Sequence, residues 1–421
     1  MKNFLSGFPP LDELNKEMKG FSFPGYHESN CHIHTPYSFS AFSSMDSIFK
    51  IATNENVALL GINDFYVTDG YDAFHEGCIV NKIFPLFNIE FIGLLKEKQQ
   101  KGIRINDPNN PGRIYFSGKG LDYPFHTGLV QRWQLRNVIR ESQNQIKAMI
   151  SKLNTLIRAA DPSLSLSYET IKKNYAHELV RERHIAKALR ILIHEYFLSP
   201  DEQLSFLEKL YGGKKSKTGL SDTSTLENEI RSNLLKSGGA AFVEEDENSF
   251  LELRKIIKII VKAGGIPCYP VLLDDPAGKY TEFESDPEKL YTSLTRLGIE
   301  CIELIPGRNN IAILKDFVTF FHNKGFIITF GTEHNTPEMI PLTVKAIDNV
   351  QLDGSLKQIA WEGACVIAAH QYLRAGGRQG YVLPDGTHSV NQKKELISLG
   401  QLVIEYFLNK PQHEAGNKRT D

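Results

Sequence analysis

Two histidines two positions apart, His32 and His34 in the run Asn30-Cys31-His32-Ile33-His34-Thr35-Pro36-Tyr37-Ser38, are the residues of this chain best suited to chemistry. A strand turns alternate side chains to one face. Two imidazoles side by side suit a divalent metal. The same pair also reads as two hydrogen-bonded histidines on a strand. Other residues weigh on that choice. Apolar runs end on Asp64, Glu90, Tyr269, Glu303 and the pair Glu333-His334. In a parallel α/β fold reactive groups gather where strands end. Two imidazoles and several carboxylates converging on one barrel mouth look like a metal centre.

The elements that must position these groups are short buried strands separated by helices. Val57–Phe65, Phe84–Phe91, Gly265–Pro270, Cys301–Ile305 and Phe326–Gly331 read as strands. Helical patterns fill 45–54, 70–80, 247–263, 285–297 and 310–324. Such alternation predicts a parallel sheet, closed as a barrel. Between 131 and 238 the pattern changes to helices alone: Ser142–Ala159, Tyr168–Tyr175, Arg181–Tyr196 and Glu202–Tyr211. This predicts a helical insertion, 131–238, in a barrel made of 1–130 and 239–421. Gly212–Gly219 and Lys96–Pro111 read as polar loops. Gln358–Arg374 and Asn391–Leu408 read as C-terminal helices followed by a polar, frayed tail.

The order of motifs resembles the PHP (polymerase and histidinol phosphatase) superfamily of metal-dependent phosphoesterases. Its H-x-H-T-x-x-S is matched by His32, His34, Thr35 and Ser38. Its T-D-H stands as Asn63-Asp64-Phe65, its G-x-E as Asn88-Ile89-Glu90, and its G-S-D-x-H as Gly331-Thr332-Glu333-His334-Asn335. Gly264-Gly265 running to Tyr269-Pro270 stands for G-G-x-x-x-x-H-P. Glu182-Arg183-His184-Ile185-Ala186 resembles the R-P-H-I-A segment of members that dephosphorylate nucleoside bisphosphates, and Gly238–Val243 the segment leading back to their barrel. The resemblance spans about residues 28 to 340 and implies a distorted (β/α)7-type barrel with a helical insertion. The C-terminal helices lie outside it.

Several ligand positions of the family hold other residues: Phe39, Phe65, Tyr115, Tyr269 and Asn335, with His334 next to the last. A phenyl ring cannot coordinate a cation, and tyrosine is a rare ligand outside iron sites. The resemblance therefore implies a reduced site of His32, His34, Glu90 and Glu333, with His334 beside them. It would hold one Zn²⁺, Mn²⁺ or Fe²⁺ rather than three ions. Asp64 is the expected general base. Arg183, His184 and Arg308 are the expected phosphate contacts, with Tyr115 and Tyr269 facing substrate.

The composition is ordinary for a soluble globular protein, with 41% hydrophobic and 23% charged residues in a chain of 421. A net charge of −2 gives no electrostatic reason to expect nucleic acid or a membrane. Five scattered cysteines, with no C-x-x-C pair, predict reduced thiols and a cytoplasmic protein. Pro9-Pro10 and the charges from Leu11 to Lys16 interrupt any signal-peptide core, and no apolar run would span a bilayer. The leading reading is a metal-dependent hydrolase of a small phosphorylated or sugar-like metabolite. Two alternatives stay open: an inactive fold that binds a metabolite or protein, and a sugar lyase or isomerase using Tyr115 and Tyr269 as acid–base groups.

Overall fold

The structure is a computed structural model that describes residues 3–38, 41–274, 278–335, 338–383, 385–387 and 392–409. Phe39, Asn391 and the tail after 409 lie outside the described residues. Strands β1 (Ser29–Ile33), β2 (Leu59–Phe65), β3 (Phe84–Leu94), β4 (Arg113–Lys119), β5 (Leu251–Glu252), β6 (Ile266–Val271), β7 (Cys301–Leu304) and β8 (Ile327–Phe330) form one sheet. Its order is β1-β2-β3-β4-β6-β7-β8, with the two-residue β5 paired to β3. A parallel bridge between Ile33 and Glu333 brings the end of β8 back to β1. The sheet is thus a nearly closed barrel, and the five sequence-read strands all lie in it.

The all-parallel expectation needs one correction. β4 runs antiparallel to both β3 and β6. It follows a loop rather than a crossover helix, and only a crossover forces parallel pairing. The polar stretch before it also holds a short helix, Lys96–Gln100.

Between β4 and β5 the chain leaves the barrel for a helical layer. The helix Leu129–Ala160 starts earlier than the sequence pattern suggested. Its buried stripe Ile146, Met149, Ile150, Leu153 and Ile157 has the spacing of one helix face. The stripe packs with Leu189, Phe206, Leu226 and Ile230 into a core of the layer's own. The pattern had not marked the helix Thr223–Ile230 or the π-helical turn Arg231–Leu235 that follows it.

The C-terminal helices Gly354–Ala375 and Lys393–Asn409 close the barrel at the end opposite the site. Their buried faces share a core with Leu59, Phe84, Ile266, Cys301 and Ile327, which lie at or near the first residues of five strands. The two helices approach closely at Gly400, where a Cβ would fall 1.8 Å from the Cys365 carbonyl oxygen. No helix among the described residues is long and apolar enough to cross a membrane.

Candidate metal centre

β1 carries one residue more than β2 between Asn30 and Ile33. A bulge of this kind re-aims side chains beside a site. His32 falls in it, and His34 follows the strand end. Their rings stand 5.1 Å apart at 77°. β3 brings Glu90 opposite Phe65 at the end of β2. Glu90 Oε2 is 3.3 Å from His34 Nε2 and 3.8 Å from His32 Nε2. Ligand atoms of the three residues lie within 4.8 Å of one another, and all three are buried. They are the one such group among the described residues.

The donor set fits a cation. Two ligand atoms about 2.1 Å from one ion at a tetrahedral angle stand about 3.4 Å apart, close to the two distances measured. Burial pushes the Glu90 carboxyl up to about 8, with His32 opposing the shift and Glu333 and Glu303 adding to it. Burial also lowers His34, although Asp64 and Glu333 pull it upward. A neutral imidazole is the metal-binding form.

Glu333 and His334 do not join the group. Both have a left-handed backbone, φ 59° and 54°, so neither side chain follows the alternation of a strand. The Glu333 carboxylate pairs with the Arg308 guanidinium and accepts from Asn335. His334 Nδ1 meets Thr332 Oγ1 at 2.6 Å, its Nε2 meets the Ile340 carbonyl at 2.8 Å, and its ring stacks on Phe42. With both nitrogens engaged, His334 holds its own loop. The Glu333 backbone does serve the site: its N–H donates to His32 O and its carbonyl accepts from His34 N–H. At Gly331 a Cβ would fall 2.3 Å from His32 Cβ, so this approach requires glycine.

Three further candidates are engaged in bonds of the fold. Asp64 accepts from Thr35 N–H, Thr35 Oγ1–H and Ser38 Oγ–H at 2.7, 2.5 and 2.6 Å. It anchors the loop after β1 and does not line the cleft. Tyr269 is fully buried and donates to Glu284 at 2.6 Å, away from the site. His184 accepts the Arg181 N–H through Nδ1 as a helix cap, and burial pushes its pKa down to about 3.

His32 and Glu90, with Glu303 and Glu333, line a cleft of about 990 Å³ between barrel and helical layer, and His34 lies behind Phe65. Of the residues singled out in the sequence, Arg308, Tyr115 and Arg183 line it along with Glu333. Arg181, Arg231 and Lys236 line it too and were not foreseen. The Arg181 guanidinium lies 5.1 Å from the Phe65 ring centre, and that ring stacks on His34 at 5.0 Å. Phe65 thus stands between the Arg181 guanidinium and the His34 imidazole. Burial, then the neighbouring Arg231, lowers Arg183 to about 10. Burial and the charges of Arg231 and Arg183 lower Lys236. Also unforeseen is Lys119, fully buried and paired below His32 with Glu303, a residue the sequence placed at the end of an apolar run. The alternation of Tyr115, Ser117 and Lys119 along β4 was the available signal.

No family model matches the chain, and no curated protein does. Among solved structures, a “putative metal-dependent phosphoesterase” from Bifidobacterium adolescentis is similar with a TM-score of 0.52 and 13% identity. The match covers 79% of this chain and 94% of that one. An amidohydrolase from Chromobacterium violaceum, with bound sulfate and no metal, gives 0.48 and 13%, over 79% and 96% of the two chains. At this identity the first likeness shows a common fold. The chain shares the barrel architecture of that structure.

Proposed function

We propose that this protein is a metal-dependent hydrolase of a small phosphorylated molecule, with one divalent ion held by His32, His34 and Glu90. The observation that carries the reading is the burial of this group beside a cleft that His32 and Glu90 line together with Arg181, Arg183, Arg231 and Lys236. Zn²⁺, Mn²⁺ and Fe²⁺ all suit two imidazoles and a carboxylate. Phe65 and Asn335, where the resemblance calls for histidine, favour one ion over three.

A bound ion would polarise a phosphoryl oxygen and acidify water. The chain's residues supply the rest. Arg183 and Arg231 offer planar donor groups to an anion. Arg308 can exchange its Glu333 partner for a substrate oxygen. Phe65 and the helical layer keep bulk water from His34. The lyase reading loses support because Tyr269 faces Glu284.

The test is metal analysis of the purified protein, with release of inorganic phosphate measured over a panel of sugar and nucleotide phosphate esters. Uptake of one ion per chain, with metal-dependent release, is expected. Absence of any bound transition metal, with none acquired on incubation, would overturn the proposal.

A further inference from the structure

Beneath His32 lies a second polar cluster that the motifs do not account for and that reaches the cleft only through Glu303. Lys119 ends β4, Glu303 lies in β7, and both are fully buried. Lys119 Nζ stands 2.5 Å from Glu303 Oε2. Ser117 Oγ donates to Glu303 Oε1 at 2.6 Å. The same Oε2 stands 3.0 Å from His32 Nδ1. Taking two such charges out of water carries a large desolvation cost, and apolar side chains of like volume often fill such a space as well or better. The pair therefore asks for a role other than stability.

We propose that Glu303, held by Lys119 and Ser117, is a positioning residue that fixes His32 as its Nδ1–H tautomer and so presents Nε2 as a metal ligand. The proposal rests on reading His32, His34 and Glu90 as a metal centre. An ammonium and a hydroxyl already donate to Glu303, so its carboxylate has only lone pairs to offer. The proton between Glu303 and His32 then belongs to Nδ1. The Nε2 lone pair is left on the side of Glu90, 3.8 Å away. Partners of this kind set both the tautomer and the orientation of a ligating imidazole.

Asn63 is the other polar group against the ring. Its Nδ2 lies 3.1 Å from Nδ1 and 3.0 Å from Nε2. The in-plane lone-pair directions of the two nitrogens diverge, so an atom equidistant from both lies on neither. Asn63 Nδ2 donates instead to Ser117 Oγ at 3.2 Å, and its Oδ1 accepts from Lys119 at 3.4 Å. It braces the ring without claiming Nε2.

Two measurements test the assignment. In metal-free, ¹⁵N-histidine-labelled protein, long-range proton–nitrogen spectra report the tautomer of His32, whose signals are identified by their loss in His32→Gln. The Nδ1–H form is expected. The Nε2–H form or a doubly protonated ring would overturn the proposal, and this result needs no Glu303 variant to fold. In zinc competition against a chelating dye, Glu303→Gln is expected to bind about 10–100-fold more weakly than wild type. A folded variant within twofold of wild type would also overturn it. If wild type takes up no zinc, the metal-centre reading fails and Glu303's role falls with it. If wild type binds zinc while His32 carries its proton on Nε2, only the role of Glu303 fails.

Discussion

Arg183 and Arg231 direct their guanidinium groups at one acceptor, Asn228 Oδ1, at 3.2 and 3.4 Å. The Nε atom of each is buried and meets no hydrogen-bond partner among the described residues. Two like charges sharing one neutral oxygen are held at a cost that an anion in the cleft would relieve. Inorganic phosphate at millimolar concentration is therefore expected to raise the melting temperature of the wild-type protein. Arg231→Met should raise it without phosphate, by ~1 kcal/mol of stability, and should abolish the response to phosphate. An unchanged phosphate response in the variant would refute the anion role.

Loss of a ligand should empty the centre. His34→Ala and Glu90→Gln each remove one of three donors. Both are expected to weaken zinc binding by more than the ~100-fold typical of a lost supporting partner, read by competition with a chelator. His334→Ala, by contrast, should leave zinc affinity unchanged, because that ring is bonded to Thr332 and Ile340.

His370 gives the fold an acid-sensitive point far from the cleft. Its Nε2 meets the Gly264 carbonyl at 2.5 Å, and its Nδ1 accepts the Tyr381 N–H at 2.9 Å. Burial pushes its pKa down to about 4, although the Gly264 carbonyl pulls it upward. The unfolded chain, near 6.5, therefore binds the proton first. The stabilising contribution is complete above about pH 6.5 and is lost as pH falls toward 4, with about 2 kcal/mol gone by pH 5. Urea unfolding at pH 7.5 and pH 5 should show that loss in wild type and a smaller one in His370→Gln. Equal losses in the two proteins would contradict it.

Tyr269→Phe separates structure from chemistry. Removing the hydroxyl leaves Glu284 short of one donor in a buried setting, at a cost of about 1–3 kcal/mol. Melting temperature should fall while KM stays the same. A rise in KM with stability intact would restore Tyr269 to the cleft.

Gly331→Ala tests the approach of β8 to β1. The added methyl meets His32 Cβ, and overpacking of this kind costs about 1–3 kcal/mol. Zinc affinity should fall together with stability, because the displaced residue is one of the three proposed ligands.

His32, His34 and Glu90 were legible in the sequence because strand alternation and run endings are local signals. Glu333 and His334 do not follow that alternation, because both are left-handed: Glu333 lines the cleft paired to Arg308, and His334 turns to Thr332 and Ile340. Phe65 and Tyr115 were read by position, and both line the cleft. The partnership of Lys119 with Glu303 was hidden, because a lysine after a polar loop looks solvated. Only the reversed direction of β4 carries it into the barrel. Arg231 and Lys236 were invisible for another reason. Nothing in their own neighbourhood records that the helical layer folds back over the mouth.

The helix Gly354–Ala375 bears on Ile328 in β8, where a Cβ at Gly363 would fall 2.0 Å from the Ile328 carbonyl oxygen. β8 is four residues long. It is splinted below by this helix and tied above to β1 through Thr332 and Glu333. A chain cut before residue 354 would keep every residue of the metal group and the cleft wall, yet lose the splint of the strand that aligns them.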